Sequence, residues 1–516
     1  MMSPKSVGNS AFAGERPLVV VSNREPYQHT YDASREVQCS PTTGGVSVAL
    51  DAIMRERGGV WIAHGSGNAD RDVVDSEDRI LVPPDLCNYT LRRLWLGERE
   101  NAEYYEGFSN EGLWPLCHEA HVRPVFRAAD WLSYRTVNER FGAAIAEELP
   151  GITTPVFIQD YHLALTAAAL RRRLPGVKTA LFWHIPWPNP DRLRICPWRK
   201  DLIAGLLGND LIAFQLDRDR RNFLSAAREE MSVEVTRNTL RIGNRIVAVK
   251  AVPIGVDYDR IQQISNDLTL VDEMKKLKQE LRLDSRVVGI GVDRLDYTKG
   301  VLERLDAIQL LLERRPDLRR DLTFVQIGVP SRSGLRSYVD VVKAIDQKVS
   351  DINNRYGAGR ELIRYRKSSL RMRRLVALYR LADFCIVSSL HDGMNLVAKE
   401  FVASRRDDDG VLVLSEMAGA AQQLHDALLI NPYDTEGFAT IIGQAIDMST
   451  EEKQRRMRAS RRIVAGRNIF GWASDILEGL EDLNPRALPP VPDREPGELE
   501  RRSVEFARST GEVKPS

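Results

Sequence analysis

Short runs rich in valine and isoleucine recur along this chain, and amphipathic stretches separate many of them. The runs are PLVVVSN (17–23), TPVFIQD (154–160), TALFWH (179–184), LIAFQ (211–215), VVGIGVD (287–293), TFVQIG (323–328), FCIVSS (384–389) and GVLVLS (410–415). Stretches such as LALTAAALRRRL (163–174) carry their apolar residues at helical spacing. Because parallel strands are buried on both faces, they need no polar alternation. The pattern therefore predicts an α/β fold with parallel sheets covered by helices.

The length of the chain predicts more than one domain. Its 516 residues are too many for one ordinary core, so two domains are expected. In VKAVPIGVDYDRI (249–261), a strand-like run meets Pro and Gly before a charged helix, which places the boundary near residue 253. The tail after Asn484 is rich in proline and charge and is expected to be disordered. The predicted segments are a flexible N-terminus (1–16), a first domain (17–252), a second domain (253–465), a C-terminal helix (466–484) and the tail (485–516).

Composition excludes several classes of partner. The chain holds 73 Lys and Arg against 72 Asp and Glu, so its formal charge of +1 gives no reason to expect a nucleic acid or an anionic membrane. Its five cysteines are widely spaced and contain no CxxC pair, which predicts neither a zinc site nor a disulfide framework. The sequence shows no signal peptide and no membrane-length apolar run. We expect a cytoplasmic protein, and the sequence leaves open whether it forms a homo-oligomer.

Polar residues follow several of the apolar runs. Ligands of open parallel sheets bind beyond the carboxyl ends of the strands, so these positions are candidate site residues. In the first half of the chain they include Asp160 and His184, and in the second half Arg294 and Arg332. Two domains that each present such an edge predict a ligand cleft between them.

The segment HDGMNLVAKE (391–400) joins a strand end to a helix. Its glycine allows close backbone approach, and the free N–H groups of the first helical turn suit a phosphate. Glu400 lies one turn beyond Leu396, on the same face, where its carboxylate can accept hydrogen bonds from a vicinal diol such as a ribose. An ordinary helix cap followed by an ordinary helical glutamate explains the spacing as well, so both interpretations stay open.

The segment RLDYTKG (294–300) supports the interpretation that HDGMNLVAKE binds a phosphate and a diol. Arg294 and Lys299 are close enough to converge on one diphosphate, and no metal-binding cluster is visible, so fixed cations would stabilise the leaving group. The alternative is two solvated loop cations. The pair Gly44–Gly45 alone would indicate a plain turn, and His184 alone a core histidine. The residues thus predict a two-domain α/β enzyme that handles a phosphorylated, nucleotide-linked ligand without a metal or cofactor.

Seven motifs carry a family resemblance. In chain order they are SNR, GG, EYYEGFSNEGLWP, QDYHL, HIPWP, DRLDYTKG and DGMNLVAKE. Over residues 17–484 the chain resembles the trehalose-6-phosphate synthases, retaining glycosyltransferases of family 20 with the GT-B fold. The resemblance implies two Rossmann-like domains whose parallel sheets face a central cleft, and a C-terminal helix that crosses back to the first domain. It also implies transfer of glucose from UDP-glucose to glucose 6-phosphate, with the leaving diphosphate taking the acceptor's proton.

The same resemblance implies roles for individual residues. Catalytic roles fall on Asp160, His184, Arg294 and Lys299. Donor-binding roles fall on Gly44, Gly45, His184, Arg294, Lys299, Asp392, Gly393, Met394, Asn395, Leu396, Val397 and Glu400. Acceptor-binding roles fall on Arg24, Tyr105, Trp114, Asp160 and Arg332.

The chain also departs from the family pattern. The loop between Arg24 and Gly44 is longer than usual, and His391 replaces the arginine common before Asp-Gly. The basic run 364–374 is unusually rich in cations, which solvated helix faces explain better than nucleic-acid binding. Two alternative functions stay open: a glucosyltransferase with glycerol 3-phosphate as acceptor, and a non-catalytic sugar-phosphate sensor. Retention of EYYEGFSNEGLWP and Arg332 favours a hexose phosphate acceptor.

Overall fold

Strands and helices alternate through the computed structural model, which describes residues 17–42, 45–149, 151–332 and 334–483. The strands are β1 (Leu18–Arg24), β2 (Tyr27–Tyr31), β3 (Val37–Pro41), β4 (Gly59–His64), β5 (Arg79–Val82), β6 (Tyr89–Leu94), β7 (Val156–Gln159), β8 (Thr179–Trp183), β9 (Leu211–Phe214), β10 (Glu234–Thr236), β11 (Thr239–Ile242), β12 (Arg245–Ala251), β13 (Val287–Arg294), β14 (Leu322–Val329), β15 (Ile363–Arg366), β16 (Phe384–Val387), β17 (Val411–Ser415) and β18 (Leu428–Ile430).

The α-helices are α1 (Gly45–Arg57), α2 (Glu98–Asn101), α3 (Trp114–Cys117), α4 (Ala128–Glu148), α5 (Thr166–Arg173), α6 (Pro190–Leu193), α7 (Arg199–Leu206), α8 (Asp217–Glu230), α9 (Tyr258–Asn266), α10 (Leu270–Glu280), α11 (Val301–Arg314), α12 (Leu318–Asp321), α13 (Arg336–Tyr356), α14 (Met372–Leu381), α15 (Leu396–Ser404), α16 (Thr435–Asp447), α17 (Thr450–Ala465) and α18 (Ile469–Glu481). A wider π-helical segment, Ala102–Leu113, joins α2 to α3.

The first domain is built on a ten-stranded sheet in the order β10-β11-β12-β9-β8-β7-β1-β4-β6-β5. Its parallel part contains the order β6-β4-β1-β7-β8-β9, which is the doubly wound Rossmann arrangement. Strands β5, β10 and β11 pair antiparallel at the two edges. The apolar runs of the sequence fall on β1, β7, β8 and β9 of this sheet, whereas the antiparallel edge strands, which are short and partly polar, were not predicted.

The second domain is built on a six-stranded, all-parallel sheet in the order β15-β14-β13-β16-β17-β18. This is the same Rossmann order. Every residue of β7, β8, β9, β16 and β17 is buried, as expected for strands covered on both faces. The α/β class with parallel sheets is therefore confirmed. The boundary near residue 253 stays a prediction; β12 ends at Ala251 and α9 begins at Tyr258.

Each sheet has a switch point, where successive connections run to opposite sides of a central strand. In the first sheet it lies between β1 and β7, and in the second between β13 and β16. Ligands of doubly wound sheets bind in the crevice that such a point opens. The two crevices face one another. A hydrogen bond between them shows this: Arg332 of the second domain donates from Nη2 to the Tyr161 hydroxyl of the first, at 3.1 Å.

The C-terminal helix α18 lies against the first domain. Trp472 packs on Phe157 and Phe182, with ring centroids 5.5 and 5.0 Å apart. Lys178 donates from Nζ to the Glu481 carbonyl at 2.7 Å. The preceding helix α17 packs on α15 of the second domain, so the chain passes between the domains a second time just before α18.

The long segment between Arg24 and Gly44 contains a β-hairpin, β2 and β3, where the sequence suggested only a loop. Buried Arg93 holds its base: Nε donates to Glu25 at 2.8 Å, and Nη2 lies 2.9 Å from Asp70 Oδ1. Segments 1–16 and 485–516, predicted to be flexible and disordered, lie outside the described residues. Within the described ranges, no helix has both the length and the apolar character to cross a membrane.

Candidate active site

The loops after β13 and β16 meet at one ion pair. Lys299 donates from Nζ to Asp392 Oδ2 at 2.6 Å, and Ser389 and Asn395 donate to the same oxygen, each at 3.2 Å. Burial raises the pKa of Asp392, but Lys299 outweighs it and lowers the pKa to about 2. Asp392 is therefore ionised at neutral pH and a weak base. The lysine, predicted to bind the donor diphosphate, thus has Asp392 as its counter-ion in this structure.

Two glycines let backbones approach closely around this pair. Gly300 has φ 60°, and a Cβ there would lie 2.0 Å from the Ser388 carbonyl oxygen. A Cβ on Gly393 would lie 2.2 Å from the His184 carbonyl oxygen of the first domain. The tip of the loop after β16 is thus in direct contact with the opposite wall of the cleft, and any larger residue would separate the two.

Helix α15 begins directly after this loop. Asn395, at φ 80°, caps it by accepting from the Ala398 backbone N–H at 3.2 Å. Leu396 and Val397 are half-buried and Met394 is buried, so their backbone groups line the helix start. Glu400 accepts from the Tyr379 hydroxyl at 3.3 Å, and burial raises the pKa of its carboxyl to about 7. A carboxylate desolvated in this way gains most when a ligand supplies hydroxyl donors.

The predicted acceptor residues lie on the first domain and at its border with the second. Arg24, at the end of β1, has Nη2 3.3 Å from the Tyr105 hydroxyl. Arg332 has φ 49° and pairs with Asp296 at 3.3 Å. Its guanidinium stacks 4.0 Å from the centroid of the Trp114 ring, and that of Arg294 lies 5.2 Å from the same ring. The structure therefore gathers three cations around two aromatic rings.

Asp160 and His184 occupy the adjacent ends of β7 and β8. Asp160 has φ 73°, and its Oδ1 accepts from the backbone N–H groups of Tyr161 and His184 at 2.9 and 3.1 Å. Burial raises the pKa of Asp160 to about 6. Burial also lowers the pKa of His184 to about 3, so this imidazole is neutral and bonds to Gln159 at 3.0 Å. Positive φ in a non-glycine residue beside a cleft is a frequent mark of a functional site.

Only one residue of the pair Gly44–Gly45 is among the described residues. Gly45 begins α1, whereas Gly44 lies outside the described part of the chain. Their predicted place beside the donor diphosphate therefore stays a prediction.

His391 connects the two domains. Its Nδ1 accepts from the Glu119 backbone N–H at 3.0 Å, while its Nε2 lies 3.2 Å from Arg218 Nη2. Burial, with Arg218 beside it, lowers the pKa of the imidazole to about 4. A neutral ring that accepts at Nδ1 carries its proton at Nε2. The contact with Arg218 therefore places the imidazole N–H against a guanidinium N–H, and both groups are hydrogen-bond donors.

The basic run 364–374 forms surface ion pairs. Arg373 pairs with Asp267 at 2.5 Å, Lys367 with Asp346 at 2.8 Å and Arg374 with Glu273 at 3.0 Å. Only the last residues of the run, from Met372, stand on a helix, α14, whereas Arg364 and Arg366 belong to strand β15 and Arg364 is buried. The prediction of a solvated helix face is therefore wrong for the start of the run.

Several residues that shape the site were not singled out from the sequence. Asp296 and Tyr161, which hold Arg332, stand inside the motifs DRLDYTKG and QDYHL, so the motifs contained a signal. Gln215 follows the run LIAF at a strand end, and its Nε2 lies 3.5 Å from His184 Nδ1. Tyr338, on α13, also bonds to Asp296, at 3.2 Å, and nothing in its local sequence marks it.

The charges define what this cleft can bind. Arg24, Arg294, Arg332 and Lys299 provide positive charge, and the groups of His, Cys, Asp and Glu in the described residues form no cluster able to hold a metal ion. Fold and site together define a two-domain α/β enzyme with a Rossmann-type cleft suited to phosphorylated ligands.

Comparison with known proteins gives the family. The model of glycosyltransferase family 20 matches residues 16–482. The trehalose-6-phosphate synthase of Mycobacterium avium is 38% identical over 493 residues, which cover 93% of this chain and 97% of that protein. That of Mycolicibacterium smegmatis is 37% identical over 491 residues, covering 93% and 95%. The chain belongs to glycosyltransferase family 20.

Solved structures agree with the sequence comparison. The E. coli protein bound with UDP-2-fluoro glucose matches with a TM-score of 0.81 at 30% identity, covering 91% of this chain and all of that one. The Burkholderia xenovorans α,α-trehalose-phosphate synthase (UDP-forming), in complex with glucose 6-phosphate, matches with a TM-score of 0.80 at 31% identity, covering 90% and 100%. The GT-B fold predicted from the sequence is confirmed.

Proposed function

We propose that this chain transfers glucose from UDP-glucose to glucose 6-phosphate and forms trehalose 6-phosphate and UDP. The observation that carries the proposal is the division of the cleft into two halves. Arg294, Lys299 and Glu400 belong to the second domain, whereas Arg24 and Tyr105 belong to the first. The synthases of E. coli and B. xenovorans bind a UDP-glucose analogue and glucose 6-phosphate, respectively, and share this fold.

In this proposal the donor lies along the start of α15. Glu400 accepts hydrogen bonds from the ribose hydroxyls, while Arg294 and Lys299 stabilise the charge that develops on the leaving diphosphate. Lys299 changes partner when the donor enters, from Asp392 to a phosphate oxygen. Asp392 and Asn395 then contact the transferred glucose, beside the backbone of Gly393.

The acceptor phosphate lies between Arg24 and Arg332. Guanidinium groups suit this role because they bind phosphate through paired hydrogen bonds. Asp160 accepts a hydrogen bond from a hydroxyl of the acceptor sugar, and neutral His184 donates from Nε2 to the donor sugar in place of Gln159.

The chemical step needs no protein nucleophile. The bond between the glucose anomeric carbon and the diphosphate oxygen breaks, and the acceptor's anomeric hydroxyl oxygen bonds to that carbon on the same face. The acceptor's proton passes to the leaving phosphate oxygen. Among the described carboxylates of the cleft, Asp392 is a weak base held by Lys299, and Asp160 Oδ1 already accepts two backbone hydrogen bonds. Both observations support a substrate-assisted route.

A matrix of donors against acceptors tests the proposal. UDP-, ADP- and GDP-glucose are each supplied with glucose 6-phosphate and with glycerol 3-phosphate, and the products are identified by NMR. We expect an α,α-1,1-linked disaccharide phosphate from UDP-glucose and glucose 6-phosphate. A product formed only with glycerol 3-phosphate, or binding of both ligands without release of UDP, would contradict the proposal.

A pair of variants tests the donor assignment. Arg294→Ala should lower kcat by about 100-fold or more, the usual effect of removing one group that stabilises transition-state charge. The matched control is Arg286→Ala, which removes an exposed arginine just before β13 and should leave turnover unchanged. Turnover by Arg294→Ala equal to that of the control would exclude this role for Arg294.

We also propose that the enzyme works in the cytoplasm. The five cysteines, all within the described residues, are free thiols, which suits a reducing compartment.

A further inference from the structure

Lys399 is a buried lysine that has no acidic partner in the part of the chain that the structure describes. Its side chain stands in the first turn of α15, one residue before Glu400, and the residue is only 2% exposed. Its Nζ donates to the Ile254 carbonyl oxygen at 2.5 Å. Within the described residues, no carboxylate forms an ion pair with it, and burial and then the like charge of Arg467 lower the pKa of its ammonium group to about 7.

Packing gives no reason for a lysine at this position. A buried, unpaired ammonium costs several kcal/mol of desolvation, and a cation near the N-terminus of a helix opposes the helix dipole. A methionine would fill the same space without either penalty. The single contact to the Ile254 carbonyl therefore needs an explanation beyond stability.

Ile254 belongs to the linker between the two domains, residues 252–257, which connects β12 to α9. The second passage of the chain between the domains touches this linker. A Cβ on Gly255 would lie 2.0 Å from the Arg467 carbonyl oxygen, and the Ile469 backbone N–H donates to the Val256 carbonyl at 3.2 Å. The linker is thus the place where both connections between the domains meet.

Ile254 is held from both sides. Its carbonyl accepts from Lys399 of the second domain, and its N–H donates to Gln215 Oε1 of the first domain at 3.0 Å. Together these bonds fix both backbone torsions of a linker residue, which are the torsions a hinge would use.

The first-domain end of this chain of bonds reaches the sugar site. Gln215 Nε2 lies 3.5 Å from His184 Nδ1, and His184 Nε2 lies 3.0 Å from Gln159 Oε1. With Nδ1 accepting, the ring carries its proton on Nε2 and donates it to Gln159. The bonds therefore run without a break from the donor-side helix, through the linker, to His184.

We propose that Lys399 is a positioning residue that couples α15 to the interdomain linker and, through Gln215, to His184. The coupling holds the two halves of the cleft in register when the nucleotide is bound to α15. The inference rests on the donor site proposed above. It assigns no contact with substrate to Lys399 itself.

A double-mutant cycle tests the coupling, with kcat and the Kd for UDP as readouts. Lys399→Met and Gln215→Leu should each lower kcat about tenfold, the effect of losing one hydrogen bond to a charged or buried group. Because both act on Ile254, the double variant should also lose about tenfold, not the hundredfold expected for independent sites. Lys399→Gln, which keeps a donor, should recover part of the loss.

Lys178→Met is the matched control. Lys178 also donates to backbone carbonyls, those of Leu480 and Glu481, but it holds α18 to the first domain at the end of the helix opposite to the one that touches the linker. We expect its kcat to stay near that of the wild type, and its effect to multiply with that of Gln215→Leu.

A stability measurement separates positioning from damage to the fold. Removing a buried, unpaired charge should leave the Tm of Lys399→Met unchanged or higher while kcat falls. A parallel loss of Tm and kcat, a kcat within twofold of the wild type, or independent effects in the cycle would overturn the inference. A wild-type protein that neither binds UDP nor turns over would instead refute the proposed function.

Discussion

At the scale of single residues, the charges around Tyr105 control its acidity. Its ring stacks on His162 with centroids 5.5 Å apart, and its hydroxyl faces Arg24. Burial raises the pKa of Tyr105, but the guanidinium groups of Arg332 and Arg24 outweigh burial and lower the pKa to about 8. The phenol is therefore neutral at pH 7 and ionises just above the physiological range.

This pKa predicts the pH dependence of acceptor binding. Above pH 8 the phenolate places a negative charge beside the acceptor phosphate, so the KM for glucose 6-phosphate should rise, by up to about tenfold for each pH unit. Initial rates across the neutral to alkaline range measure the effect. The rise should disappear in Tyr105→Phe and persist in the control Tyr31→Phe. An identical alkaline rise in Tyr105→Phe would show that another group causes it.

The contacts of His391 could not be predicted from its local sequence. The sequence marked it as unusual before Asp-Gly, yet its ring contacts Glu119 and Arg218, which belong to the other domain. Contacts between domains depend on how the two sheets face each other, and no local spacing encodes that.

At the scale of elements, α15 combines a binding function with a cost in stability. The pKa of Glu400 is raised from 4.5 to about 7, so the folded state binds a proton that the unfolded state releases between these values. Folding stability of the unliganded protein therefore falls as pH rises through this window, and the full penalty remains above pH 7.

The Glu400→Gln variant should not pay this cost in folding stability, and it should bind the nucleotide more weakly. At pH 8 the variant should be more stable than the wild type, with an upper limit of about 3 kcal/mol. The gain in stability should be below this limit because water reaches the half-buried carboxyl and screens its charge. Near pH 5 the difference should be small. The Kd for UDP should rise at least about tenfold, because hydrogen bonds to a charged acceptor are lost.

Urea unfolding at both pH values and calorimetric titration with UDP measure these two effects. The control Glu416→Gln changes an exposed glutamate of the same domain and should alter neither. Equal UDP affinity in Glu400→Gln and the wild type would remove Glu400 from the donor site.

The hairpin β2–β3 depends on the buried cluster of Arg93, Glu25 and Asp70. All three are nearly inaccessible to solvent. Burial and the neighbouring Asp70 raise the pKa of Glu25 to about 8, so the two carboxyls share one guanidinium unequally. Removing the arginine would leave acidic groups buried without their cation.

Arg93→Met should therefore lower the free energy of unfolding by about 3 to 5 kcal/mol, the usual cost of breaking a buried ion pair from one side. Denaturant titration gives the value. The comparison is Arg99→Met, which breaks a pair with Glu103 in which the arginine side chain is 86% exposed, so it should leave the free energy of unfolding nearly unchanged. Equal losses in the two variants would mean that the buried cluster does not hold the hairpin.

At the scale of the whole molecule, α18 joins the end of the chain to the first sheet. Trp472 lies against Phe157 and Phe182, and its ring centroid is 6.0 Å from that of His184. Helix α18 thus packs against the residues that hold His184 in the cleft.

Trp472→Ala should lower the free energy of unfolding by about 3 to 5 kcal/mol, because it leaves a large cavity in a packed core. It should also lower kcat, because His184 loses its support. The exposed Asp475→Ala on the same helix should stay within about 0.5 kcal/mol of the wild type. A full-activity, full-stability Trp472→Ala would show that α18 is dispensable to the site.

The class of fold and the outline of the site could be predicted from local sequence patterns. Strands buried on both faces are largely apolar, so β7, β8, β13 and β16 are visible as short apolar runs in the sequence. Side chains that follow such strands lie at one edge of the sheet, which is why Asp160 and Arg294 could be recognised locally.

Which of these residues contact one another could not be predicted before the three-dimensional structure was known. Lys299 and Asp392 are 93 residues apart, and Arg332 and Tyr161 are 171 apart. The hairpin, the antiparallel edge strands and the partner of Lys399 likewise became visible only in three dimensions. The physical reason is that periodicity along a chain reports how each element is buried, whereas contacts between elements follow from strand order and from the way two separately formed sheets face each other.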